Sequence, residues 1–321
     1  MKRRPAIAAL LIALAMGGAQ AQNFPKQPIK LLVPYPAGGG ADVVARLVAQ
    51  HAGTFLGQPV IVENKPGAGT IVAVDTLIRS KADGYTLMFA DSSTMSTNPY
   101  LYKKLPYRPE RDLMPVTLMT NYPFLLVSRN GFPAGSVAEV LAYVRANPGK
   151  VTFASGGPGS PHHLAFEVFA AETKINVVHV PYKGAAAAIQ DLIGGQVDLM
   201  FLDLAAGHNF IREGKLRAYA AATTERVAKF PDLPTMTEAG QPGFVANTWT
   251  GIVAPAGTPQ DVITKLNDSF VKALRSAPVQ AQLATLGVDA IPGTPARFAE
   301  HARSEAARLG TVIKAINLSL D

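Results

Sequence analysis

Two short glycine-rich segments carry the residues best suited to binding chemistry. "PAGGGAD" spans residues 36–42 and "SGGPGSPHH" spans residues 155–163. Each follows an apolar run and leads into helical spacing, so each reads as a strand-to-helix turn. Glycine lets backbone N–H groups come close to a ligand, and a helix N-terminus adds about half a positive charge. The natural guest is an anion, most simply a carboxylate. The plainer reading of one such loop is a tight turn; two at equivalent places in the chain favour a shared binding role. Other arrangements are thinner. Ser160, His163 and Asp203 can be drawn as a hydrolytic triad, but Ser155 lies in "FASGG", which is not a G-x-S-x-G elbow. His162 and His163 are adjacent and project differently, and no H-E-x-x-H occurs among the six histidines, so no metal is expected. Asp42 reads as a helix cap or a partner of Arg46, one turn on. Asp203 either ends a buried strand or faces a cleft, and Tyr182 and Lys183, following an apolar strand, stay open between ligand contact and surface. Trp249, the single tryptophan, reads as packing before it reads as a stacking wall.

Nucleotide chemistry fails on detail. No G-x-x-x-x-G-K-[ST] is present, and "GGGADV" has Val43 where a dinucleotide fingerprint needs its third glycine. With no cysteine there are no disulfides, thiolate metal sites or cysteine nucleophiles. No cofactor is expected. The net charge of +7 comes from scattered basic residues with no run outside the extreme N-terminus, which argues against nucleic acid. A 17% charged, 48% hydrophobic chain of 321 residues can build proper cores and is not disordered.

The N-terminus has the pattern of an export leader. Lys2, Arg3 and Arg4 precede an apolar stretch from Ala6 to Met16, and Ala19-Gln20-Ala21 offers small residues for cleavage. The apolar stretch is short of the ~20 residues needed to span a bilayer, and no cysteine is available for lipid attachment. Cleavage after Ala21 would lower the charge from +7 to +4 and deliver the product to the periplasm.

The elements that position these loops repeat one plan. "IKLLVPY", "PVIVENK" and "GYTLMFA" read as strands separated by helices from Asp42 to Gly57 and over "GTIVAVDTLIRSKA". About 120 residues later "KVTFAS", "INVVHVPY" and "VDLMFLDL" repeat the order around "LAFEVFAAET" and "GAAAAIQDLIGG". Such β-α-β-α-β units favour parallel sheets. Two extended stretches, 114–132 and 244–259, separate the halves, and the helices after the second have no sheet of their own. The fold class expected is therefore α/β with two lobes, each a mostly parallel sheet flanked by helices. Lobe 1 comprises residues 22–120 and 250–321, and lobe 2 residues 121–249. Ligands of open parallel sheets bind beyond the carboxyl ends of the strands, which places the glycine loops at an interlobe cleft.

"PYPAGGGADVVARLVA", "VENKPGAGTIVAVDTL", "ADGYTLMFADSST", "VTFASGGPGSPHHLAFEVFA", "VPYKGAAAAIQDLIGGQVDLMF", "PTMTEAGQPGF" and "WTGIVAPAGTP" occur in this order. Together they resemble the Bug (TctC-like) family of tripartite tricarboxylate transporter substrate-binding proteins across essentially the whole mature chain. The resemblance implies a hinged periplasmic binding protein of the type II, Venus flytrap kind, not an enzyme. It would bind a small organic acid and serve membrane permease subunits as a monomer. It also implies ligand contacts from Tyr35, Ala37, Gly38, Gly39 and Asp42; from Ser92, Ser93, Thr94 and Asn98; from Ser155, Gly159, Ser160 and His163; and from Tyr182 and Asp203. The extra histidine, His162, has no assigned role. A secreted α/β hydrolase using Ser160 and His163, and a ligand-sensing partner of a periplasmic receptor domain, are the alternatives.

Overall fold

The computed structural model describes residues 24–320, and the expected leader, residues 1–21, lies outside the described residues. Strands β1 (Ile29–Val33), β2 (Val60–Asn64) and β3 (Thr86–Asp91) pair in parallel with β1 at the centre. In the second half β5 (Thr152–Ser155), β6 (Val178–Pro181) and β7 (Leu199–Asp203) form the corresponding parallel trio around β5. The central strands are apolar on both sides because helices cover both faces. Ile29, Leu31, Leu32 and Val33 are all fully buried.

The two trios are joined through β4 (Leu113–Arg129) and β9 (Asn247–Pro255). β9 lies between β3 and β4 and is antiparallel to both. Its pairing with β4 runs from Leu113↔Pro255 to Pro123↔Asn247. From the next residue onward, Phe124 to Ser128, β4 instead pairs with β7, and over a similar length with β8 (Leu216–Ala221). One long strand therefore belongs to both sheets and changes partners at Pro123–Phe124. The returning chain crosses beside it, where Phe124 N–H donates to Ala246 O at 3.3 Å. The parallel trios match the expected alternation; the crossing strands add antiparallel pairs, so the sheet as a whole is mixed, in the order β2-β1-β3-β9-β4-β7-β5-β6. A short β10 (Asp289–Ala290) also pairs with β4.

Helix α1 (Gly40–Leu56) starts two residues earlier than its apolar spacing indicates and stops at Gly57, whose φ of 71° closes the last turn in the left-handed region. Val44, Leu47, Val48 and Ala52 bury its inner face. α2 (Ile71–Ile78) covers the opposite face of the first sheet. In the second half α3 (Val137–Ala146) and α4 (Pro161–Thr173) cover one face, and α5 (Ala185–Ile193) and α6 (Leu204–Arg212) the other. The late helices pack on the first sheet. α7 (Gln260–Arg275) packs on α1 with α8 (Ala277–Leu286) behind it, and Phe298 and Ala302 of α9 (Pro295–Ala315) pack beside α2. Trp249 is buried on β9, edge-on to Phe298 at 5.8 Å and to His301 at 4.8 Å. It is core packing and touches no cleft. No helix among the described residues is long and apolar enough to cross a membrane.

Gly251 marks the tightest point of the crossing. A Cβ there would lie 2.5 Å from the Phe298 ring and 2.7 Å from the Thr117 carbonyl oxygen. The second contact is backbone and cannot rotate away. Gly251→Ala is expected to destabilise the fold by about 1–3 kcal/mol, the usual cost of overpacking. Urea unfolding monitored by Trp249 fluorescence measures it, and a loss below about 0.5 kcal/mol would show that β9 has more room than the contacts indicate.

Candidate functional site

A narrow cleft lies where the carboxyl ends of the two parallel trios face each other. From the first half it is lined by Tyr35, Pro36, Gly39, Gly40, Ala41, Phe89 and Asp91. The second half contributes Gly156, Pro161, His162, Gly184, Ala185, Ala186 and Asp203. Tyr122, Thr248 and Thr250, on the crossing strands, form the floor. No lysine or arginine is among these residues.

Two helices begin at this cleft, one from each half, without a side-chain cap. The residue before α1 is Gly39, in extended conformation, and no side chain accepts from the first turn. The residue before α5 is Gly184, with φ 108°, likewise without a cap. A helix start leaves its first N–H groups without intrahelical acceptors, and alanines at 41, 185 and 186 put nothing in front of them. By contrast α4 is capped: Ser160 Oγ accepts from His163 N–H at 3.3 Å. α6 is capped by Asp203, which accepts from Ala206 N–H at 2.9 Å.

The halves touch across the cleft. Ser93 Oγ donates to Gly159 O at 2.9 Å. A Cβ on Gly184 would stand 2.9 Å from Pro36 Cδ. A Cβ on Gly40 would collide with Asp203 Oδ1, so the second half's carboxylate sits directly against the start of α1. Asp203 is also bonded to His162 Nε2 at 3.2 Å, and the His162 ring stacks on Phe124 with centroids 5.0 Å apart. His162 thus reaches the cleft, and its Nδ1 has no partner.

Of the residues expected at the site, Tyr35, Gly39 and Asp203 line the cleft; the others shape its walls. Asp42 accepts from Gly38 N–H, Arg46 Nε and Asn64 Nδ2 at 2.8–3.0 Å and so fixes the 37–40 turn, with Ala37 on its outer side. Burial pushes the Asp42 carboxyl up, but these three donors outweigh it and hold it below its ordinary value. Ser92 bonds Thr248, Thr94 bonds Asp91 and Thr70, and Asn98 donates to Gly69 O. Ser155 pairs with His179 at 2.7 Å, and burial, then the neighbouring His163, lowers that imidazole to about 4. His163 Nδ1 accepts from Gly159 N–H at 3.2 Å while Nε2 faces Glu167. The Ser160 hydroxyl therefore meets the His163 backbone and not its ring, which removes the serine–histidine pair a hydrolase needs. Tyr182 turns away to donate to Asp191 at 2.7 Å; burial, then Asp191, raises its hydroxyl to about 12. No group of three metal-ligating side chains occurs among the described residues.

The cleft residues without a sequence signal of their own are Asp91, Tyr122 and the Gly184–Ala186 turn. Asp91 is buried at the end of β3. It accepts from the Tyr35 hydroxyl, from Thr94 N–H at 2.9 Å and from Thr94 Oγ1 at 3.0 Å. Burial raises its carboxyl above the ordinary range despite these donors. Burial and the Asp91 charge push the Tyr35 hydroxyl well up. Burial, with Asp203 and Asp91 nearby, also raises the Tyr122 hydroxyl, which has no hydrogen-bond partner.

Known proteins share this architecture. The profile of the tripartite tricarboxylate transporter family receptor (TctC) matches residues 44–318. BugT of Bordetella pertussis is 38% identical over 298 residues, 92% of this chain and 91% of its own. The Rhodopseudomonas palustris protein MatC, solved with bound malate, superposes with a TM-score of 0.87 at 35% identity, covering 90% of this chain and all of its own. An R. palustris protein solved with adipate gives a TM-score of 0.89 at 32% identity over 92% of this chain and 98% of that one.

Asp91 also sets a stability prediction. Its carboxyl is raised in the folded chain, so the folded state holds the proton more tightly than the unfolded state. The penalty is absent below the ordinary carboxylate range, near pH ~3.9. It grows as pH rises towards the raised folded value and is full only above that value. Asp91→Asn keeps an oxygen that can accept from Thr94 N–H and removes the charge. The variant is expected to melt a few degrees above the parent at neutral pH, with the gap closing on acidification below about pH 4. A gap of the opposite sign, or one independent of pH, would show that Asp91 is held ionised without cost.

Proposed function

The chain belongs to the tripartite tricarboxylate transporter receptor family, and from that premise we propose that it captures a small organic acid between its lobes and delivers it to a membrane permease. A family of solute-binding receptors binds and does not turn over its ligand. The observation that carries the carboxylate reading is the pair of uncapped helix starts, α1 and α5, meeting at one cleft. Their N–H groups are positively polarised donors awaiting an acceptor. A carboxylate held this way needs no buried arginine or lysine and avoids the cost of desolvating one. The relatives solved with malate and with adipate support the class of ligand.

The binding contacts are read as the α1 and α5 starts, with Tyr35, Gly39, His162 and Asp203 around them. The hinge is read at the paired crossings, Pro123–Phe124 and Ala246–Asn247. Closure then follows from contacts that exist only when both lobes meet the same ligand, since a ligand shifts the equilibrium only by its differential affinity. The leader pattern, with cleavage after Ala21, and solved relatives named as periplasmic support a mature protein that works in the periplasm, as a monomer, with separate permease subunits.

A thermal-shift panel of mono-, di- and tricarboxylates tests the reading. A true ligand at a hundred times its Kd should stabilise by about 2.7 kcal/mol. Gly40→Ala should weaken that ligand at least tenfold, because its methyl would stand 2.4 Å from Asp203 Oδ1 and force that carboxylate away from the start of α1, with a single cooperative melt of the unliganded variant checking that it still folds. No stabilisation by any acid, or unchanged affinity in Gly40→Ala, would overturn the assignment.

A further inference from the structure

The walls of the cleft offer donors, but its floor offers acceptors. Asp91 and Asp203 both line it, and Tyr122 lies near both, its raised hydroxyl feeling each charge. Asp91 is 2% exposed and has no cationic partner; its donors, the Tyr35 phenol, the Thr94 hydroxyl and the backbone N–H groups of Thr94 and Ser93, are all neutral. The Tyr122 hydroxyl, also 2% exposed, is without a partner and opens onto the same space. A desolvated carboxylate without a counter-charge is costly, and the nearest basic group in the cleft, His162, is bonded to the other acid, Asp203.

We propose that the cleft floor recognises a protonated amine through Asp91 and Tyr122, so that the captured acid is an amino acid or another amino-carboxylate. This rests on the carboxylate reading above. The ligand's carboxylate meets the polarised N–H groups of α1 and α5, and its ammonium donates to Asp91 and to the phenol oxygen of Tyr122. The two signs of the site then match the two ends of one zwitterion. A plain diacid would instead set a second negative charge against Asp91.

Matched pairs differing only in the amine decide the matter: succinate against aspartate, glutarate against glutamate, propionate against alanine, and 3-phenylpropionate against phenylalanine. Calorimetric Kd values are measured for the parent, Asp91→Asn and Tyr122→Phe. In at least one pair the amino member should bind at least tenfold tighter. That ratio should fall to about one in Asp91→Asn, and by several-fold in Tyr122→Phe, whose removed hydroxyl has no partner in the fold. Plain acids binding as tightly as their amino partners in every pair would overturn this inference and leave carboxylate capture standing. An amine preference that survives Asp91→Asn would also overturn it. Binding of no member of any pair would remove carboxylate capture itself.

Discussion

Backbone N–H groups at the start of a helix have no acceptor inside the helix, and here two such starts are left open at the same place. At α1 and α5 the usual serine, threonine or aspartate is replaced by glycine, and small alanines follow. With glycine in the capping place, each open start gives up only roughly a few tenths of a kcal/mol relative to a capping side chain. Side-chain caps occur elsewhere, at Ser136, Ser160, Asp203 and Thr294, while α2, α7 and α8 start without one, away from the cleft. What sets α1 and α5 apart is that both open onto one cleft, beside the capped starts of α4 and α6.

The crossing strands join the two sheets. β4 is continuous through both, so they are linked by regular backbone and not by a slack linker. At Pro123 its partner changes from β9 to β7 and β8, and the proposed hinge would turn at these two adjacent crossings. The halves also touch across the cleft, where Ser93 bonds Gly159 and Asp203 stands against Gly40. Asp91 gives the cleft a second tension, because a buried carboxylate raised above its ordinary range is a stability cost kept at the binding surface.

Much of this was legible beforehand. The alternation of apolar runs and glycine turns revealed two α/β units, and the stretches around 114–132 and 244–259 stood out as extended segments between them. The 36–40 turn declared itself by three consecutive glycines. The α5 start did not, because a glycine before an alanine run carries no polar atom; its signal was the missing cap itself. Ser160 and His163 looked chemical by residue type, but their hydroxyl and ring serve the α4 cap and the 157–163 turn. Asp91 read as an ordinary strand end before "SST", and only its burial beside Tyr35 shows otherwise. Tyr122 and His162 depend on pairings made over long separations, β4 with β9 and His162 with Asp203, which no local pattern encodes.

The place of β9 has a consequence for how the chain is made. It lies between β3 and β4, which are not neighbours without it. A ribosome, releasing residues in order, finishes both of those strands more than a hundred residues before β9 emerges at 247–255. Until then the first sheet has an open seam along its middle. The 124–246 segment, whose strands are consecutive in the chain, can assemble during that interval. The first sheet is therefore the late one, and the nascent protein keeps that half unlocked for most of its synthesis.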